Sequence, residues 1–300
     1  MGERAVASGP SRLGCYFLGV ALLVNAESGC EQYERAAELF RKAGEVEPGM
    51  LAAWVCQGLV ALNCGRLDEA EAFFNQAIRM ETAAIEDFPV ARTALGMVAM
   101  RRCLWRQAIE RFGAALELLK RSDHMYKDLM AGISLCGTAD AELRQGNARA
   151  ALANCHRALL LTRQFPMMSG CPRLRLRAEA GLAAAQAAAG RPAAARESLA
   201  RALGLLPGVL VTPQQWSGFL AAADLHHALA LAHARLGDLD ATIEHLRRAA
   251  ATGWRDNHWL QTDPELSAVR LLPCFAEILD KTAPRVQHQA VASSAVNARS

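Results

Sequence analysis

The chain has 300 residues, of which 52% are apolar and 21% charged, enough for a well-buried globular fold and too apolar for wholesale disorder. Its 33 basic and 30 acidic residues leave a net charge of +3, which argues against a surface built to coat nucleic acid. Nine cysteines without a Cys-x-x-Cys pair remove the main support for a zinc ribbon or a thioredoxin-like redox site.

Residues 1–12 read as an N-terminal arm. The stretch LGCYFLGVALLVNAESGC, residues 13–30, is apolar behind Arg4 and Arg12. It is expected to be the first helix of the fold, in a cytoplasmic protein with reduced thiols. The alternative is a secretory or lipid-anchoring segment ending near Cys30. No run reaches the roughly 20 apolar residues of a membrane span.

A pattern begins at Glu31 with EQYERAAELFRKAG and returns as GRLDEAEAFFNQAI from Gly65 and CLWRQAIERFGAAL from Cys103. It continues as GNARAALANCHRAL from Gly146, GRPAAARESLARAL from Gly190 and GDLDATIEHLRRAA from Gly237. The starts are 34, 38, 43, 44 and 47 residues apart. Each copy carries a small residue, a larger one four later and Ala three after that. These triads are Ala36/Phe40/Ala43, Ala70/Phe74/Ala77, Ala108/Phe112/Ala115, Ala151/Cys155/Ala158, Ala195/Leu199/Ala202 and Thr242/Leu246/Ala249. Residues three and four apart share a helix face, so each triad is one stripe on which a neighbouring helix can lie close. A second apolar helix precedes each copy, as in LAAWVCQGLVALN (51–63), and Pro48 and Pro207 are expected to close the second helix of their units. The units are therefore helix-turn-helix hairpins that bury their faces only by stacking.

The last unit is followed by GWRDNHWLQTDPELSAVRLLPCFAEIL (253–279). Trp254, Leu260, Leu266, Leu271, Phe275 and Ile278 are expected to cover the open face of the final hairpin. Asp263 would cap a short helix that has Pro264 in its first turn. From Lys281 the sequence lacks periodicity and bulky apolar residues and reads as a disordered tail. The resulting division is an arm at 1–12, an array at 13–253, a capping segment at 254–280 and a tail at 281–300.

Trp54, Gly58, Ala70, Phe74 and Ala77, then Leu95-Gly96, Ala108, Phe112 and Ala115, together resemble the tetratricopeptide repeat. The end segment looks like the one that closes many bacterial arrays of that family. The resemblance implies an all-α solenoid of six hairpins plus a C-terminal capping helix, acting as a protein-interaction scaffold or adaptor without catalysis. It also implies that the first helix of each hairpin lines a concave groove. Those positions hold Val55, Leu59, Leu62 and Asn63 in unit two, and Thr93, Met97, Met100 and Arg101 in unit three. Unit four supplies Cys136, Asp140, Leu143 and Arg144, unit five Ala180, Ala184 and Ala187, and unit six His227, Leu231 and Arg235. The Lys and Asn set with which chaperone-tail binders of the family clamp a carboxylate is missing. An apolar strip for a partner peptide or helix is expected instead, with methionine adaptable to several side chains.

Phosphate loops, nucleophile elbows and HExxH motifs are absent, so neither cofactor nor catalytic residue is expected. Asp224, His226, His227 and His233 form the one suggestive cluster. His226 and His233 are seven apart, about 10 Å along a helix, which suits packing better than a metal site. The arginines of MRRCLWRQAIER and PRLRLR read as solvated faces and contacts between repeats, or as the footprint of an acidic partner. Trp54, Trp105 and Trp216 are expected between helices. The alternative function is a regulatory subunit whose groove senses a ligand or signalling peptide. A third reading is an enzyme built on the histidines.

Overall fold

The computed structural model describes residues 12–24, 30–80, 89–166, 170–211 and 219–283. These form 14 α-helices in sequential hairpins. The hairpins are α1 (Arg12–Val24) with α2 (Cys30–Val46), α3 (Leu51–Asn63) with α4 (Leu67–Met80), and α5 (Pro89–Arg101) with α6 (Trp105–Leu119). They continue as α7 (Lys127–Arg144) with α8 (Ala148–Gln164), α9 (Cys171–Ala188) with α10 (Pro192–Val211), and α11 (Ala222–Arg235) with α12 (Leu239–Ala251). Then follow α13 (Asn257–Thr262), two 3-10 turns (Pro264–Leu266 and Val269–Leu271) and α14 (Cys274–Thr282). The fold is an all-α solenoid, as the repeat predicts. The arm at 1–11, the stretch after Val24, Trp216, and the tail from 284 onward lie outside the described residues.

Every residue of the six triads is buried, and Phe40, Phe74 and Phe112 are fully so. The reason is a notch on the facing helix. A Cβ on Gly58 would lie 2.5 Å from the Phe74 ring, and one on Gly19 would lie 2.7 Å from Phe40. Phe112 is held between two such notches, Gly96 in its own hairpin and Gly137 in the next. Each ring thus fills the space a missing side chain leaves, and backbone and ring come into van der Waals contact.

The hairpin turns are closed by left-handed residues, Gly65, Gly146, Gly190 and Gly237, with φ between 71° and 78°. In unit three the same position is Cys103, at φ 59°, the one non-glycine among the described residues with positive φ. The lengthening repeat steps have a simple cause. α7, α9 and α10 run to 18, 18 and 20 residues, against 13 each in α3 and α5.

One expected boundary is corrected. α10 does not stop at Pro207 but continues to Val211. Leu206 and Val209 are buried in the core on either side of the proline, and their burial offsets the missing backbone donor.

The second helices are amphipathic: α4 buries only Ala70, Phe74 and Ala77. The first helices differ. α3 buries 11 of its 13 residues, and α7, α9 and α11 are covered on nearly every side. A helix apolar all round is an interior helix. The array also comes back on itself, since a Cβ on Gly253, just after unit six, would lie 3.7 Å from Tyr33 of unit one.

Gly58→Ala is expected to overpack against Phe74 and lower stability by about 1–3 kcal/mol. Gly113→Ala, in α6 with open space around its Cα, is expected to raise stability by about 0.5–1 kcal/mol. Urea titration of both variants checks the pair; equal shifts would contradict the notch.

Candidate functional site

The inner face is the expected groove, and its residues come together there, but they do not line an open channel. Val55, Leu59, Leu62, Asn63, Met100, Arg101, Asp140, His227 and Leu231 are buried, with Leu59 only 1% exposed. Thr93, Cys136, Leu143, Ala180 and Ala184 are buried with them, while Met97 and Ala187 are half-buried. The expectation of an exposed apolar strip is therefore corrected. The chain's own residues 254–271 pack against α5, α7 and α11, while Val55, Leu59 and Leu62 of α3 and Ala180 and Ala184 of α9 are buried among the neighbouring repeats.

Three arginines organise the contact. Arg101, Arg144 and Arg235 each stand two residues before the turn residue of their unit, in the last turn of α5, α7 and α11. Arg101 Nη1 donates to the Leu62 carbonyl at 2.8 Å and Nη2 to Asp224 Oδ1 at 3.4 Å, with the guanidinium 4.8 Å from the Trp254 ring centre. Arg144 Nη2 donates to Asp263 Oδ2 at 2.5 Å and Nη1 to the Asp140 carbonyl at 2.9 Å. Its guanidinium lies between the rings of Trp105 (5.2 Å) and Trp259 (5.6 Å). Arg235 pairs with Glu265 and also donates to the Leu143 carbonyl.

The acids that answer these cations are themselves interior. Burial pushes the carboxyl pKa values of Asp224 and Glu265 upward, against the pull of Arg101 and Arg235 respectively. Asp263, fully buried, accepts from Trp259 Nε1 at 2.8 Å and from the Glu265 amide at 3.1 Å. It thus caps the turn containing Pro264, as expected from sequence. Trp254, Leu260, Leu266, Phe275 and Ile278 are buried as expected, but Leu271 is 85% exposed and takes no part.

The histidines split between two surroundings. His227 stacks on Trp254, with ring centres 4.2 Å apart, and its pKa is held well below the ordinary value by burial and the nearby arginines. His226 Nδ1 lies 3.1 Å from His245 Nδ1 of α12, and His233 stacks on His245 with ring centres 5.3 Å apart. Burial lowers His226 and His245 to about 4 each. Among the described residues no group of three or more His, Cys, Asp or Glu is arranged to hold a metal. Among the described residues a cavity of about 30 Å³ lies inside, bounded by Met97, Asp140, Arg177, Asp224, His227 and Trp254, and a smaller one of about 10 Å³ lies between Leu143, Ala184 and Arg235.

Of the other flagged arginines, Arg106 is exposed and pairs with Glu110 of its own helix, while four others serve contacts between repeats. Arg102 and Arg111 both pair with Glu71 of α4, Arg177 pairs with Asp140, and Arg173 donates to the Leu220 carbonyl. Trp54 packs beside Phe73 and donates to the Pro48 carbonyl. Sequence reasoning missed the role of Trp259, Asp263 and Glu265 inside the array. The available signal was the shared register of the three arginines, since cations repeated on otherwise apolar helices require buried acids.

The tetratricopeptide repeat model matches residues 51–83. No curated protein matches the sequence. Among solved structures, the Cut9–Hcn1 hetero-tetramer of the APC/C superposes with a TM-score of 0.58 at 17% identity, over 94% of this chain and 44% of the other. The chain thus spans less than half the length of that relative. A Rap protein complexed with competence and sporulation factor gives 0.57 at 12% identity, over 90% and 76%. The type IV pilus biogenesis factor PilW gives 0.52 at 18% identity, over 86% and 98%. One stretch of the chain, residues 51–83, thus matches the tetratricopeptide repeat, and the whole has the helical-hairpin solenoid fold of the solved structures it resembles. No described helix is long and apolar enough to cross a membrane.

Asp263→Ala strips the buried Arg144 of its counter-charge and is expected to cost about 3–5 kcal/mol in a denaturant titration. An effect below about 1 kcal/mol would show that the segment is not held this way. The histidine pair sets a second expectation. His226 and His245 titrate lower folded than unfolded, so their contribution is complete above about pH 6.5 and is lost as pH falls toward 4. Asp224 and Glu265, whose carboxyls are raised, act in the opposite direction. His245→Gln should therefore flatten the fall in melting temperature between pH 7 and 5; an unchanged slope would contradict the assignment.

Proposed function

We propose that this chain is a non-catalytic protein-interaction scaffold, as tetratricopeptide-repeat proteins in general are, and that it meets its partner on the outer surface built by the second helices. The observation carrying this reading is the burial of the inner face, among neighbouring repeats and, along α5, α7 and α11, beneath residues 254–271. A peptide entering there would have to displace Trp254 and Trp259 and leave Arg144 without Asp263, a loss larger than a typical hot spot returns. The ligand-sensing alternative meets the same obstacle. A cavity of about 30 Å³ has room for a water molecule, not for a signalling peptide. Two of the similar structures, the Cut9–Hcn1 assembly and the Rap complex, are of proteins with bound partners, in keeping with an interaction role for this fold.

The test is hydrogen exchange on the complex with a natural partner obtained by affinity purification. The reading expects slowed exchange on second helices such as α6 and α8, with 257–271 unchanged. Faster exchange across 257–271, or slowing confined to α5, α7 and α11, would place the partner inside and overturn it.

A further inference from the structure

Among the described residues, a cleft of distinct character lies at the open end of the fourth hairpin. It encloses about 270 Å³ between the C-terminal turn of α6, the N-terminal half of α7 and the C-terminal half of α8. The step from unit three to unit four is 43 residues, and α7, five residues longer than α5, reaches beyond the preceding repeat to make the wall. The floor is apolar: Leu116, Leu119, Ala131, Leu135, Leu160 and Leu161. Leu160 is 52% exposed, although it sits on a helix whose other leucines are at least partly covered.

The rim is cationic. Lys120, Lys127 and Arg157 border the cleft, against a single carboxylate, Asp128. α8 contributes Arg149, Arg157 and Arg163 and contains neither Asp nor Glu. Arg157 donates to Asn154 Oδ1 rather than to an acid. Lys120 and Lys127 do pair, with Glu117 and Asp123, but on open surface, where such pairs exchange partners at little cost.

We propose that this cleft docks an amphipathic helical segment of a partner protein, one that inserts a Leu- or Phe-sized anchor flanked by Asp and Glu. The inference rests on the outer-surface reading above and names the partner's chemistry. The anchor covers Leu160 and displaces water from the floor, while the flanking carboxylates meet Arg157, Lys120 and Lys127. Charge sets the class of partner: a basic helix with the same apolar face would bring cations onto a cationic rim.

The test uses fluorescein-labelled 18-residue helical peptides with leucines three and four apart, their remaining positions rich in Glu in one and in Lys in the other. Fluorescence anisotropy with the full chain should give saturable binding of the acidic peptide that weakens with salt, and none of the basic one. Arg157→Glu and Leu160→Ser, both at exposed positions, should each weaken binding about tenfold with unchanged circular dichroism. Decanoate is the small-molecule control. Equal binding of both peptides, indifference to both substitutions, or binding of decanoate without the acidic peptide would overturn the proposal. Such a failure leaves the outer-surface reading standing if the natural complex still protects α6 or α8 elsewhere. Protection confined to the inner helices would end both.

Discussion

A phenylalanine ring driven into the notch of a glycine is the contact from which the array follows. Phe40, Phe74 and Phe112 cannot sit as they do unless Gly19, Gly58 and Gly96 lack a side chain, and with them the two helices of each hairpin pack at close range. Phe112 extends the device across a repeat boundary through Gly137, so the same ring fixes both a hairpin and its stacking on the next. In later units Cys155, Leu199 and Leu246 occupy the ring's place, and in units four and five longer helices supply buried area instead.

Close packing of this kind leaves the first helices crowded on the inside, and an inner face so narrow cannot leave charge undirected. Arg101, Arg144 and Arg235 enter at one register, and an unpaired guanidinium there would cost several kcal/mol. Residues 254–271 answer that demand. Asp263 and Glu265 supply carboxylates, Trp254 and Trp259 supply ring faces, and the intervening apolar residues close the core around units three, four and six. On the outside, apolar and basic groups such as Leu160 and Arg157 remain accessible.

The helices and their stacking were legible because the triads and turn residues repeat, and repetition is visible without coordinates. Even the position of Cys103 follows from register, although its left-handed backbone does not follow from its side chain. The inner face was legible as a set of residues and misread as a surface. Met97 and Met100 look the same in sequence whether they await a partner or pack with Trp254, because apolar periodicity reports that a face is covered and not what covers it. Pro207 failed for a related reason: a local breaker yielded to the burial of Leu206 and Val209, which only the assembled core reveals.

The central claim is that residues 257–271 are part of the core rather than a lid resting on a groove. Native-state hydrogen exchange of the free protein tests it most directly. The amides of α13 and the following 3-10 turn should open with the same free energy as those of α5 and α7, since Arg144 and Asp263 bind them into one unit. Exchange of 257–266 at the rate of a frayed end, with α5 and α7 still protected, would contradict it.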